Sequence, residues 1–210
     1  MELYVTEISK YVITIFLLAY TILAFLAFKY KTESRRKLIY TGQIISMFSM
    51  QIACFVQILA RTGQVAYGFF FAFQIIVFAS ALMLFYIIYP DGNRLIFNNC
   101  CILLMIGMII LTRLSYDKAI RQFFIIAASF IVGFFVPEII FRFDFLKSLT
   151  WIYAGVGVVA IGVVLILGAA THGSKISYTI AGITFQPSEF VKILFLFFMA
   201  GALFEAESLL

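Results

Sequence analysis

Seven apolar runs, most of them about 18–25 residues long, divide this chain and leave only short polar breaks between them. They fall at 11–28, 40–60, 65–89, 95–112, 121–141, 149–169 and 188–204. A helix of that length crosses the ~30 Å hydrocarbon layer of a bilayer. Composition agrees: 64% of the 210 residues are hydrophobic, 12% are charged and the mean hydropathy is +1.11, far from what the surface of a soluble domain this size requires. The expected fold is all-α, a polytopic integral membrane helical bundle of about seven transmembrane helices. The amino end lacks a basic region followed by a short apolar core and a small-residue cleavage site, so the first run is expected to insert and stay.

The breaks set the expected topology. Residues 29–37 hold five Lys/Arg (Lys29, Lys31, Arg35, Arg36 and Lys37), the densest basic cluster in the chain. The positive-inside rule therefore makes loop 29–39 cytoplasmic. Alternation places the amino terminus and loops 61–64, 113–120 and 170–187 outside, and loops 90–94 and 142–148 and the carboxyl end inside. Pro90-Asp91-Gly92-Asn93-Arg94 is a turn signal between the third and fourth runs. The net charge of +5 lies in these short loops, where it sets topology and meets anionic headgroups. It does not indicate nucleic acid. Cys54, Cys100 and Cys101 lie within apolar runs, without metal-ligand spacing, and are expected as membrane-buried side chains. No metal and no cofactor is expected, and no internal repeat is visible.

One segment departs from lipid-facing chemistry. Phe185-Gln186-Pro187-Ser188-Glu189-Phe190-Val191-Lys192 opens the last run with a proline and two charges. Charges there are costly unless they face protein, water or a ligand. Gln186, preceding proline, reads as the last non-helical residue, and Pro187 suits the first helical position. Glu189 falls in the first turn, where the helix dipole favours a carboxylate, and Lys192 is three residues on, within pairing reach. The segment reads equally well as a proline-started helix with a local ion pair or as part of a functional site.

Weaker candidates lie elsewhere. The external loop from Thr171 to Gly182 is rich in small and polar residues, holds His172, the only histidine, and Lys175, and leads into an amphipathic stretch expected at the membrane surface. Arg121, in Lys118-Ala119-Ile120-Arg121-Gln122, either snorkels to lipid phosphate or faces an internal groove beside Glu189. Glu138, after Pro137, fits a proline kink and a snorkelling carboxylate. No phosphate loop, dinucleotide fingerprint, metal cluster or Ser/His/Asp order of note is present. A membrane-embedded or lipid-linked ligand fits such scattered residues better than a soluble nucleotide.

The octapeptide 185–192 resembles the signature of the shape, elongation, division and sporulation family (FtsW/RodA/SpoVE). That family carries Gly-Ala-x-Arg-Trp at a set distance upstream, where this chain has Gly173-Ser174-Lys175-Ile176-Ser177. The glycine matches, serine is a near match, and Ile176-Ser177 replace Arg-Trp, with Lys175 one place early. Arg121-Gln122 matches an Arg-Gln pair at the start of the family's second helix, and Asp144-Phe145 resembles the Asp-Tyr of the next cytoplasmic loop.

The resemblance implies two regions: 1–94, an additional amino-terminal three-helix membrane region, and 95–210, the first four helices of the family core. An odd number of extra spans reverses the starting side, in agreement with the external amino terminus read from charge. It also implies a peptidoglycan glycosyltransferase that polymerises lipid II at the outer face of the bacterial plasma membrane, in division or cell-shape control. The expected partners are lipid II, a class B penicillin-binding protein and membrane lipid. The family's essential aspartate lies in a later external loop, so no catalytic residue is expected in this chain, whose activity stays open. Arg121, Gln122, Lys175, Gln186, Pro187, Ser188, Glu189 and Lys192 are the implied substrate-binding or cavity-lining residues. Cations there would meet the pyrophosphate, with Glu189 orienting Lys192. The alternatives are a non-enzymatic membrane partner of a penicillin-binding protein, a lipid-linked precursor flippase and, more distantly, an unrelated seven-span receptor.

Overall fold

The structure, a computed structural model, describes residues 2–30, 32–143, 149–167, 169–171, 174–180, 183–185 and 187–207. Among them are seven helices: α1 (Glu2–Lys29), α2 (Glu33–Thr62), α3 (Val65–Ile88), α4 (Arg94–Leu114), α5 (Tyr116–Arg142), α6 (Thr150–Leu167) and α7 (Pro187–Glu207). Each expected span coincides with one of them. Five stretches are long and apolar enough to cross a membrane: Glu7–Lys29, Glu33–Thr62, Val65–Ile88, Arg94–Leu114 and Tyr116–Ile140. α6 contributes the shorter apolar stretch Thr150–Gly162.

Several helices overrun the apolar runs, because polar residues at a membrane boundary remain helical when their charges pair along the axis. The basic segment expected as a loop over 29–37 is the clearest correction. α2 already begins at Glu33, whose carboxylate meets Lys37 Nζ one turn on at 3.0 Å. The far end of α2 stops at Gly63, which adopts φ 64° and donates its N–H to Leu59 O at 2.9 Å. That left-handed cap favours glycine. Asn93 caps α4, its side-chain oxygen accepting from the Ile96 N–H, as the turn signal at 90–94 anticipated.

The chain forms two compact units, Met1–Phe134 and Phe135–Leu210. In the first, α2 packs on α1, α3 and α4, and α3 on α4. α2 buries Ile39, Gln43, Met47, Met50, Cys54, Phe55 and Ile58, a stripe at three- and four-residue spacing. The start of α5 joins this bundle through Tyr116, Ala119, Phe123, Ile126 and Phe130, also one helical face. Phe123 meets Phe70, and Phe130 meets Phe78, in edge-to-face pairs at 5.6 and 5.8 Å. Near the end of the unit, the Tyr89 hydroxyl donates to Phe134 O, next to the Gly133 carbonyl that Pro137 leaves without its usual helical donor.

The second unit is an antiparallel helix pair with a small sheet. α6 lies along α7, with Trp151 against Phe198 (6.2 Å), Tyr153 against Phe197 (5.4 Å) and Gly157 facing Val191. Between the helices the chain forms β1 (Ala169–Thr171), β2 (Ser174–Ile180) and β3 (Ile183–Phe185), an antiparallel meander in the order β1-β2-β3. Lys175 pairs with Ala170 and Tyr178 with Phe185. The described part of the segment read as an external loop, Thr171 to Gly182, is thus extended and paired. Its alternation of Ile176, Tyr178 and Ile180 with Ser177 and Thr179 is a strand pattern. β2 lies against both α6 and α7.

Candidate functional site

The octapeptide folds as its residue types require. α7 starts at Pro187, where a missing N–H leaves no helical bond unmade. Glu189 follows in the first turn, and Lys192 Nζ donates to Glu189 Oε1 at 2.7 Å. Both side chains are largely exposed, so the pair adds at most about 1 kcal/mol to stability. Its position matters more than its strength. α7 packs on α6 through Val191, Leu194, Phe198 and Gly201, one face at helical spacing. Glu189 and Lys192 fall on the opposite face, which α6 leaves free.

Arg121 shows the same geometry in the first unit. It lies two residues past Ala119, about half a turn from the stripe that docks α5 on α3 and α4, and is exposed. Gln122 flanks the stripe and is half-buried. Arg121 and Gln122 belong to the first unit and Glu189 and Lys192 to the second, and each pair is described within its own unit. Among the expected site residues, the structure thus brings Glu189 and Lys192 into contact. The backbone of Lys175 is placed in β2 and those of Pro187 and Ser188 at the start of α7, while Gln186, His172 and Gly173 lie outside the described residues, as does Asp144.

The sequence reading missed a set of buried amides. Gln43, Gln51, Gln74 and Asn98 are fully buried between α2, α3 and α4. Tyr86 Oη donates to Asn98 Oδ1 (2.8 Å), and Asn98 Nδ2 donates to Gln43 Oε1 (2.9 Å). Gln51 Nε2 donates to Gln74 Oε1 at 3.2 Å. On the neighbouring face of α1, Tyr20 Oη donates to Asn99 Oδ1 at 2.8 Å. Such bonds tie helices together where lipid supplies no hydrophobic drive between them. The available signal was the pairing of Gln43 with Gln51, eight residues apart on one face of an otherwise apolar run. Of the three cysteines, Cys54 and Cys101 are buried as expected, and Cys100 is exposed on α4.

The ends of the first unit sort as the loops predict. One cleft brings together Glu33, Arg36, Tyr40, Asp91 and Arg94, from the breaks before α2 and before α4. Another joins Arg61 and Thr62 of the α2 end to Arg113 of the α4 end. The α1–α2 and α3–α4 connections therefore share one end, and the α2–α3 and α4–α5 connections share the other.

Long apolar helices, interhelical amide bonds and charges confined to helix ends and to one free helix face define a multi-pass helical membrane protein. The sequence model of the FtsW/RodA/SpoVE family, described as "cell cycle protein", matches residues 93–209, more than half of the chain. The chain belongs to that family. All eight expected site residues lie within the match. No curated protein and no solved structure matches the chain.

Proposed function

We propose that this protein acts in peptidoglycan assembly, as part of a glycosyltransferase that polymerises lipid II at the outer face of the bacterial plasma membrane. The observation that carries this reading is the Glu189–Lys192 pair on the free face of a proline-started helix, inside the family match. An exposed ion pair at the mouth of an apolar helix needs a polar counterpart. A pyrophosphate-linked lipid supplies one: its head meets Lys192, and its polyprenyl tail follows the apolar remainder of α7. Glu189 holds Lys192 in place rather than acting as the base. Lys175, Gln186, Pro187 and Ser188 complete the proposed lining in the second unit, with Lys175 as a further cation for the pyrophosphate, while Arg121 and Gln122 of the first unit enter the proposal through the family resemblance alone. We assign no catalytic residue within 93–209.

In this reading the amino terminus is outside and the basic segment 29–39 is cytoplasmic. The α2–α3 and α4–α5 connections then face outward, as does the β1–β3 sheet. A class B penicillin-binding protein is the proposed partner. The test uses the full-length gene product in proteoliposomes with lipid II. Glu189→Ala is expected to abolish glycan polymerisation while membrane insertion is kept. Normal polymerisation by that variant would remove Glu189 from the site.

A second reading rests on one departure: Ile176-Ser177, in strand β2, stand where the family carries Arg-Trp. A chain that has lost that pair would serve as a non-enzymatic membrane partner of a penicillin-binding protein. Co-purification of a penicillin-binding protein, with no polymerisation even by the wild type, would favour it.

A further inference from the structure

The cleft at the α2–α4 end of the first unit carries an unbalanced charge. It has a volume of about 260 Å³ and is lined by Gln57, Arg61, Thr62, Tyr67, Thr112 and Arg113, among others. Its lining holds two guanidinium groups and no carboxylate. Among the described residues, neither Arg61 nor Arg113 forms an ion pair. The cleft at the opposite end differs: Glu33 and Asp91 line it, Lys37 pairs with Glu33, and Arg36 donates to Tyr40 Oη at 2.7 Å.

Helix dipoles do not neutralise the two arginines. α2 and α4 end here while α3 and α5 begin here, so two negative and two positive helix ends meet and largely cancel. Nor do the hydroxyls compete as ligands. Thr62 Oγ1 donates to Ile58 O (2.9 Å) and Thr112 Oγ1 to Met108 O (2.7 Å), each within its own helix. The remaining donors are the two guanidiniums, the Gln57 amide and the Tyr67 phenol. The wall is firm: Tyr67 packs on Tyr116 at 4.7 Å, and Tyr116 Oη donates to Ala66 O at 3.3 Å.

We propose that this cleft is a phosphate site, occupied by the headgroup of an anionic membrane lipid. Guanidinium forks bind phosphate oxygens in charge-assisted, bidentate fashion, and a phosphodiester supplies the missing negative charge. A lipid is the fitting source because the cleft lies where membrane-spanning helices end, at headgroup depth, with tyrosines beside it as at other membrane interfaces. The proposal does not depend on the glycan-polymerising reading, since it rests on the charge and lining of this cleft and none of the proposed lipid II-binding residues lines it.

The test is thermal unfolding of the purified chain in neutral detergent, titrated with phosphatidylglycerol, phosphatidylcholine or inorganic phosphate. Phosphatidylglycerol is expected to raise the melting temperature saturably and phosphatidylcholine to leave it unchanged. Arg61→Gln and Arg113→Gln are each expected to raise the half-saturating lipid level about tenfold, the loss of one charge-assisted hydrogen bond. Arg35→Gln, at the opposite end of α2, leaves it unaltered. Unfolding without lipid reports whether each variant is intact, and Arg61→Lys and Arg113→Lys, which keep the charge, are expected to fall between wild type and the glutamines. Equal stabilisation by both lipids, or an unchanged titration in the arginine variants, would overturn the site. Equal stabilisation by inorganic phosphate would overturn its assignment to a lipid.

Discussion

Gly201 sets the separation of α7, which carries Glu189 and Lys192, from α6. It lies on the α6-facing side of α7, against Thr150 at the start of α6. A Cβ at Gly201 would overlap Thr150 Oγ1 and stand 3.1 Å from Thr150 Cβ and Cγ2. Carbon contacts prefer about 3.5–4.0 Å. Thr150 is 1% exposed and β-branched, so its side chain has little freedom to turn away. The cost of Gly201→Ala is then that of overpacking, about 1–3 kcal/mol. The gain in helix propensity returns about 1 kcal/mol of it. Gly157 provides the internal comparison. A Cβ there meets only Val191 Cγ1 at 3.9 Å, an ordinary contact, so Gly157→Ala keeps the propensity gain without the clash. The two variants should differ by about 1–3 kcal/mol, with Gly157→Ala the more stable. Thermal unfolding in one detergent, monitored by circular dichroism, reads this as a difference of several degrees. Thr150→Ala in the Gly201→Ala background should recover most of the loss, beyond the cost of Thr150→Ala alone, in a double-mutant cycle. A Gly201→Ala protein as stable as Gly157→Ala, or a cycle without coupling, would refute the close approach of α6 and α7.

Asn98→Leu removes the group that joins Tyr86 to Gln43 and should destabilise the first unit by about 1–2 kcal/mol in the same unfolding assay. Glu189→Gln and Lys192→Gln should each change stability by less than about 1 kcal/mol, because the pair is exposed, which separates a site role from a scaffold role. Cysteines introduced at Ser34 and Gln64, on a background without native cysteines, should label from opposite sides of the membrane, Gln64→Cys from outside in intact cells. Labelling of Ser34→Cys alone from outside would invert the topology.

The helical framework was legible because each apolar run is long enough to cross the membrane and is bounded by residues that stop or restart a helix, such as Gly63, Pro90 and Pro187. The start of α7 and its ion pair followed from Pro187, Glu189 and Lys192 alone, since both features depend on spacing within one turn. What escaped depends on partners distant in sequence. The Gln51–Gln74 and Gln43–Asn98 bonds join different helices, and nothing within either run fixes the register that brings them together. The β1–β3 meander escaped because β1 and β3 are three residues each and the small and polar residues around Thr171–Lys175 read as loop, which masked the alternation in β2. Two kinds of boundary also differ in kind. The division at residue 94 follows the resemblance, whereas the compact units part at Phe134 and Phe135, within a turn of Pro137.

In the proposed function, the face of α7 bearing Glu189 and Lys192 meets a lipid-linked pyrophosphate substrate. Leu196, seven residues after Glu189, continues that face and is 68% exposed, whereas Leu194 is turned into the α6 contact at 9%. A photo-crosslinking residue placed at each position, in membranes supplied with labelled lipid II, tests the claim most directly. Capture of lipid II is expected from position 196 and not from 194, with capture at 196 lost when Glu189 and Lys192 are both replaced by alanine. Equal capture from both positions, or capture at 196 that survives loss of the ion pair, would contradict it.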